Sequence, residues 1–321
     1  MKADESHPRS ATPAGEVAAV PYEQRAEALR ILLTGSRSGP ETVVQPFLSF
    51  VRQQGVALDR LFGAYVEGRL ASVCLVLPSP GRTGMVFISP AADRRRERLV
   101  ADAARHAVSR LDAERFRLVQ ALLDPTQIGE RRALERAGFE ALATLMYMNR
   151  PAEKTPPAWS REDRIEALGL EPRHWSEAHR GLFARAIERS YRDTLDCPGL
   201  VGMRHIDDVI AGHMATGRFD PELWTVYHRD GEPAAVTLLA CVQDEETYEL
   251  VYLGVDPAWR GRGLGEQVMR RGLTQVAARG AKRVCLAVDQ DNRPARRLYT
   301  AMGFRSMSRK VAMIHALNER G

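Results

Sequence analysis

A 321-residue chain whose second half echoes its first is held to few architectures. A shift of 165 residues lays Asp124, Arg131, Arg132, Gly138 and Phe139 on Asp289, Arg296, Arg297, Gly303 and Phe304, five identities in 16 positions. An internal repeat implies one supersecondary plan built twice, each copy burying its own core. Between the copies runs Pro151-Ala152-Glu153-Lys154-Thr155-Pro156-Pro157, three prolines without apolar periodicity, which reads as a connector. The length agrees, since a domain takes roughly 100–200 residues. The division expected is a leader over 1–20, a first domain over 21–150, a linker over 151–163 and a second domain over 164–321.

Local patterning in the second half predicts helices over Trp175–Tyr191 and Ile206–Met214, the first with Leu182, Phe183, Ala186 and Ile187 at helical spacing. Strands are predicted over Trp224–Tyr227 and Ala234–Val242, joined through Asp230-Gly231, and over Thr247–Val255. A glycine-rich turn, a helix from Leu264 to Ala278, a strand Val284–Val288, a short helix ending near Met302 and a strand Ser308–His315 complete an α-α-β-β-β-α-β-α-β order. The first half shows that order more weakly, with its first hairpin around Glu67-Gly68.

Hydrophobic residues make up 44% and charged residues 27%, the balance of a globular chain. No run approaches the ~18 apolar residues of a membrane span, and Met1–Val20 lacks the apolar core of a secretory signal. A cytoplasmic location is expected. Cys74, Cys197, Cys241 and Cys285 stand singly with no CxxC pair, which fits buried thiols in a reducing compartment and no metal. The net charge of +5 could suggest nucleic acid, but only four of the 46 basic residues are lysine and the arginines are interleaved with acids. An arginine-biased composition explains this better than a nucleic-acid surface.

The chemistry concentrates where the strand Val251–Val255 runs into Asp256-Pro257-Ala258-Trp259-Arg260-Gly261-Arg262-Gly263-Leu264-Gly265 and a helix begins. Glycines there let backbone N–H groups approach a ligand, and a helix N-terminus adds positive potential, so the stretch reads as a pyrophosphate cradle flanked by Arg260 and Arg262. A dinucleotide fingerprint would need glycine at 266, where the chain has Glu266.

Arg260, Gly263 and Gly265 fill the pattern Arg/Gln-x-x-Gly-x-Gly/Ala, and a second block follows as Asn292, Ala295, Leu298-Tyr299 and Gly303-Phe304. In these two blocks the chain resembles the GNAT superfamily of acyl-CoA-dependent N-acyltransferases. The tandem arrangement with one degraded copy is similar to that of the mycothiol synthases. The resemblance implies an α+β fold of two tandem GNAT-like domains, each a mixed, mostly antiparallel twisted sheet flanked by helices. It implies acetyl-CoA as acyl donor, its pantetheine bonded by the backbone of Leu253, Gly254 and Val255 and by Asn292. The pyrophosphate would then sit on the amides of Gly261 to Gly265, Leu264 among them. A plain helix N-cap is the alternative for Asn292.

Amine acylation needs a base for the attacking nitrogen and a proton donor for the departing thiolate. Strand alternation puts Glu249 on one face with Val251, Leu253 and Val255, where a lone carboxylate should have a raised pKa. Its lead over Arg260 matches where many family members carry a glutamate base, although a charge marking the strand start would look alike. Tyr299 matches the tyrosine that the family often uses to protonate the thiolate, with packing as its alternative. Tyr191, Asp193, Thr194, Asp196 and Cys197 follow the first helix, where this fold builds the acceptor pocket, unless the loop is merely solvated. In the first half Arg94-Arg95-Arg96-Glu97-Arg98 replaces the glycine loop and Leu134 replaces the tyrosine, so that copy is expected to be silent. The partner implied is a small-molecule or peptide amine, with no nucleic acid and no membrane, and a homodimer is left open. A non-catalytic acyl-CoA-binding sensor or scaffold is the alternative function.

Overall fold

The structure, a computed structural model, describes residues 15–53, 57–152, 164–243 and 245–317. The expected leader and linker therefore fall largely outside the described residues. In the first half the order is β1 (Glu16–Ala19), α1 (Arg25–Thr34), α2 (Glu41–Gln53), β2 (Leu61–Val66), β3 (Arg69–Ser79), β4 (Thr83–Ile88), α3 (Arg94–Ser109), β5 (Leu118–Leu123), α4 (Ile128–Arg136) and β6 (Glu140–Pro151). The second half runs α5 (Arg164–Ala167), β7 (Glu171–His174), α6 (Arg180–Ser190), α7 (Ile206–Met214), β8 (Trp224–Arg229), β9 (Glu232–Gln243), β10 (Thr247–Val255), α8 (Leu264–Ala278), β11 (Arg283–Asp289), α9 (Arg293–Ala301) and β12 (Arg305–Ala316).

The predicted order is present in both halves, each preceded by an additional four-residue strand, β1 or β7. Glu171-Pro172-Arg173-His174 has no apolar alternation, because an edge strand held by one neighbour buries little. The fold is the mixed, helix-flanked sheet expected.

The chain resolves into two compact units whose segments interleave. The first comprises Met1–Leu77, Val86–Leu111 and Ile128–Phe139; the second comprises Pro78–Met85, Asp112–Gln127 and Glu140–Gly321. In the first, β1, β2 and β3 form antiparallel neighbours over a core of Leu29, Leu32, Leu61, Val73 and Leu75. In the second, eight strands run in the order β5-β12-β6-β11-β10-β9-β8-β7.

That order contains a reciprocal exchange between the repeat copies. The last strand of the second copy, β12, pairs antiparallel with β5 and β6 of the first. In return β6, the last strand of the first copy, pairs antiparallel with β11 from Pro151 opposite Arg283 to Leu145 opposite Asp289. Arg150 of β6 is buried and donates from Nη1 to the carbonyl of Met302 at 2.5 Å, just beyond α9. On the opposite face of the second unit, Trp175, Phe183 and Trp224 pack edge to face or tilted under α6 and α7.

Candidate active site

One extra residue shapes the site. β10 pairs with β9 throughout, but the register shifts between Leu250 and Tyr252, which makes Val251 a β-bulge. On its other side β10 pairs in parallel with β11 only where Thr247–Leu250 faces Arg283–Leu286. Past Leu250 the two strands part, and a cavity of about 460 Å³ opens, lined by the Leu250–Val255 stretch, Ala287, Val288, Gly261, Gly263–Glu266, Asn292 and Tyr299. The backbone of Val251–Val255 therefore has a free edge on the β11 side, available to an extended ligand.

The bulge also corrects the alternation expected from spacing. Tyr248, Leu250 and Leu253 pack with Met269 and Leu273 of α8, while Val251 and Tyr252 both pack toward Phe183 and Ile187 of α6. Two successive side chains share a face, so Leu253 and Val255 lie opposite Glu249 instead of beside it. Gly254 comes so close to α6 that a Cβ there would lie 2.4 Å from the Ser190 hydroxyl oxygen. That hydroxyl donates to the Ile187 carbonyl and accepts from the Tyr252 hydroxyl, each at 2.7 Å.

At the turn, Gly261 and Gly263 hold φ of 72° and 78°, a left-handed backbone that side chains resist. Gly263 is the N-cap of α8 and brings no side chain to bond its first turn, so the N–H groups of Leu264, Gly265 and Glu266 have no intrahelical acceptors. They lie on the cavity wall. Arg260 takes an unexpected role. Its guanidinium donates to the carbonyls of Val255 (3.0 Å), Asp193 (3.1 Å) and Ser190 (2.8 Å), clamping the end of α6 to the turn. Arg262 lies over the Trp259 ring at 5.6 Å.

The loop after α6 roofs the cavity. Asp196 accepts from the Asp289 backbone N–H at 3.0 Å and from the Asn292 side chain, and the N–H of Cys197 donates to Asp289 Oδ2 at 3.1 Å. Asn292 is indeed the N-cap of α9, accepting from the N–H of Ala295 at 3.2 Å, and it also lines the cavity. Enclosure by the surrounding walls raises the Asp196 carboxyl above its ordinary value. Tyr299 is buried, edge-on to Phe304 at 5.9 Å, and burial together with the charge of Asp196 holds its hydroxyl protonated.

Glu249 is placed differently. It lines neither this cavity nor its neighbour, but sits opposite Cys285 in the parallel ladder. Burial raises its carboxyl, and its charge in turn helps raise the Tyr147 phenol and the Cys285 thiol, the latter to about 11.

A second cavity of about 350 Å³ shares Thr194, Asp196, Val251 and Tyr252 with the first and continues to Tyr191, Cys197, Leu200, Val201, Arg204, Ile206, Val209 and His213. Of the loop residues expected near the acceptor, Thr194 and Asp196 line both cavities, Tyr191 only the second and Asp193 only the first. The sequence reading missed Arg204, His213 and Tyr252. None belongs to a local motif, and their convergence depends on α7 packing over β10.

In the first unit the corresponding features are occupied from within. Asp93 caps α3, accepting from the N–H groups of Arg95 and Arg96 at 2.9 Å each. Glu130 accepts from the N–H of Ala91 at 3.1 Å, and a Cβ on Gly129 would fall 2.0 Å from the Ala91 carbonyl oxygen.

A parted pair of parallel strands thus leads into an open glycine turn and helix N-terminus, a site shaped for an extended ligand that ends in an anionic group. Residues 188–304 match the model of the acetyltransferase (GNAT) family. It is 30% identical to a mycothiol acetyltransferase of Catenulispora acidiphila over 55% of each chain, and 32% identical to that of Thermobifida fusca over 48% of this chain and 46% of the relative. The chain thus spans about half the length of these curated relatives. In solved structures the fold recurs in a GCN5-related N-acetyltransferase of Sphaerobacter thermophilus, with TM-score 0.59, 18% identity and coverage of 95% and 96%. It recurs too in a tandem GNAT protein from the clavulanic acid biosynthesis pathway, with TM-score 0.50, 15% identity and coverage of 95% and 100%. Among the described residues no cluster of metal-binding side chains forms, and no helix is long and apolar enough to cross a membrane.

Proposed function

We propose that this chain is an acetyl-CoA-dependent N-acetyltransferase acting on a primary amine, with one working site per chain. The observation that carries the reading is the unpaired Val251–Val255 edge beside the open first turn of α8. An extended pantetheine arm would add to the edge as a strand, and a pyrophosphate would accept from the amides of Leu264, Gly265 and Glu266. The amine attacks the thioester carbonyl, the C–S bond breaks, and Tyr299 protonates the departing sulfur. Glu249, which stands off both cavity walls, would act as the base through an intervening water in this scheme. Asp196 is a second reading for that role, favoured by its raised carboxyl on the wall shared by both cavities.

The test is calorimetric titration of the full chain with acetyl-CoA. One site per chain is expected, because Asp93 already occupies the amides of α3. Two equivalent sites would overturn the reading. Gly265→Val is the companion variant, since a Cβ there meets only ordinary contacts at 3.6 Å or more and the fold should tolerate it. Its affinity should drop at least about 10-fold as the side chain screens the amides.

A further inference from the structure

Arg204 is the least satisfied charge on the walls of the second cavity. Elsewhere in the second half, arginines find partners: Arg180 on Asp207, Arg189 on Asp256, Arg218 on Glu245 and Arg279 on Asp220. The Arg204 guanidinium makes no hydrogen bond or ion pair with any described residue, and its Nε is buried without a partner. Beside it, His213 stacks on Tyr252 with centroids 5.4 Å apart, and its Nε2 is likewise buried and unpartnered. Burial and the Arg204 charge push this imidazole down to about 4, so it is neutral under ordinary conditions and adds no positive charge. A guanidinium whose Nε is buried without an acceptor is incompletely hydrogen-bonded, a deficit that an incoming anion would relieve.

Resting on the acetyl-transfer reading, we propose that the acceptor carries a carboxylate near its amine and that Arg204 holds this carboxylate at the far end of the second cavity. The amine end then lies by Asp196 and Thr194, on the wall shared with the cofactor cavity. Leu200, Val201, Ile206 and Val209 on the walls of the same cavity provide an apolar surface. The ligand class is therefore an amino carboxylate of amino-acid size with an apolar side chain. The single charge of Arg204 matches a carboxylate monoanion, whereas a phosphate dianion would bring a second, unmatched negative charge onto walls that also carry Glu188 and Asp196. In the reaction the nitrogen bonds to the acetyl carbon, the C–S bond breaks, the amine proton passes to the base and CoA leaves as the thiol. The carboxylate is untouched, so the N-acetylated product retains the group that Arg204 reads.

The experiment uses the full chain saturated with CoA and titrates N-acetyl-L-leucine against N-acetyl-L-leucinamide, which differ only in the anionic group. The acid should bind at least ten-fold more tightly than the amide. Arg204→Gln should bring that ratio close to one and Arg204→Lys should retain part of it, with acetyl-CoA affinity unchanged in both. Equal binding of acid and amide by the parent protein, no binding of the acid, or a ratio that survives Arg204→Gln would overturn the proposal. Should a variant fail to fold, the parent ratio decides alone. Failure of acetyl-CoA itself to bind would instead overturn the acetyl-transfer reading, which this comparison distinguishes.

Discussion

Tyr299 meets the requirements of a proton donor before any substrate is considered: it lies on the cavity wall, it is buried, and the nearby Asp196 charge keeps its hydroxyl protonated. Tyr299→Phe preserves the ring contact with Phe304 and removes only the donor. Losing one donor to a developing anion costs about 10²–10³-fold, which should appear in kcat with acetyl-CoA affinity nearly constant. Rapid-mixing measurement of thiol release checks this, and an unchanged rate removes Tyr299 from the mechanism. Glu249 and Asp196 compete for the base, and pH separates them. Each carboxyl is raised, so the rate falls on acidification through the raised pKa of whichever group is the base. Only the variant of the true base, Glu249→Gln or Asp196→Asn, should lose that limb of the kcat/KM profile. Stability gives a further check on Glu249. A carboxyl raised in the folded state binds more protons there than in the unfolded chain, so its ionisation weakens the fold as pH climbs above the ordinary carboxylate value. Glu249→Gln is therefore expected to raise Tm at neutral pH, with a smaller gain near pH 4. At this scale the sequence was legible where the cavity wall comes from contiguous motifs, as with Gly261, Gly263 and Asn292. It was opaque where side chains converge from distant elements, as Arg204 and His213 do on Tyr252.

Among elements, the alternation of β10 was misread because a bulge leaves no mark in an unbroken run such as Leu250-Val251-Tyr252-Leu253, which holds no glycine or proline to signal it. The strand itself was evident; which face each side chain takes past Val251 depends on pairing with β9. Arg260 teaches a related lesson, since its place in the motif suggests a charge aimed at phosphate while its guanidinium is engaged by three carbonyls. Arg260→Gln should therefore loosen the Ser190–Asp193 corner and weaken acetyl-CoA binding without altering the salt dependence of that binding. A phosphate-contacting arginine would reduce the salt dependence, because a screened charge pair would be lost. Titrations across a range of ionic strengths discriminate the two. The clamp predicts one more observable: amide hydrogen exchange in Arg192–Leu195 should accelerate in Arg260→Gln, as local opening becomes easier.

For the whole molecule, the repeat was readable from five aligned identities, but the exchange of β6 and β12 was not, because strand partners separated by more than a hundred residues leave no local trace. The exchange ties β11 and the cavity beside it to the first half of the chain. A fragment of residues 164–321 would present β11 with an unpaired edge, strand β12 with no neighbour, and the end of α9 without Arg150. Such an edge favours aggregation, so the fragment is expected to be insoluble or to lack near-ultraviolet circular dichroism, while the full chain unfolds cooperatively. A well-folded, acetyl-CoA-binding fragment would contradict the strand exchange. The consequence reaches beyond truncation. Severing the backbone within the proline-containing stretch should leave two polypeptides that find each other, since each holds strands the other needs. Produced separately, residues 1–157 and 158–321 should be inactive; mixed, they should reconstitute one working enzyme in equimolar proportion. A protein whose halves arose by duplication would then behave as an obligate pair of subunits that happen to share a peptide bond.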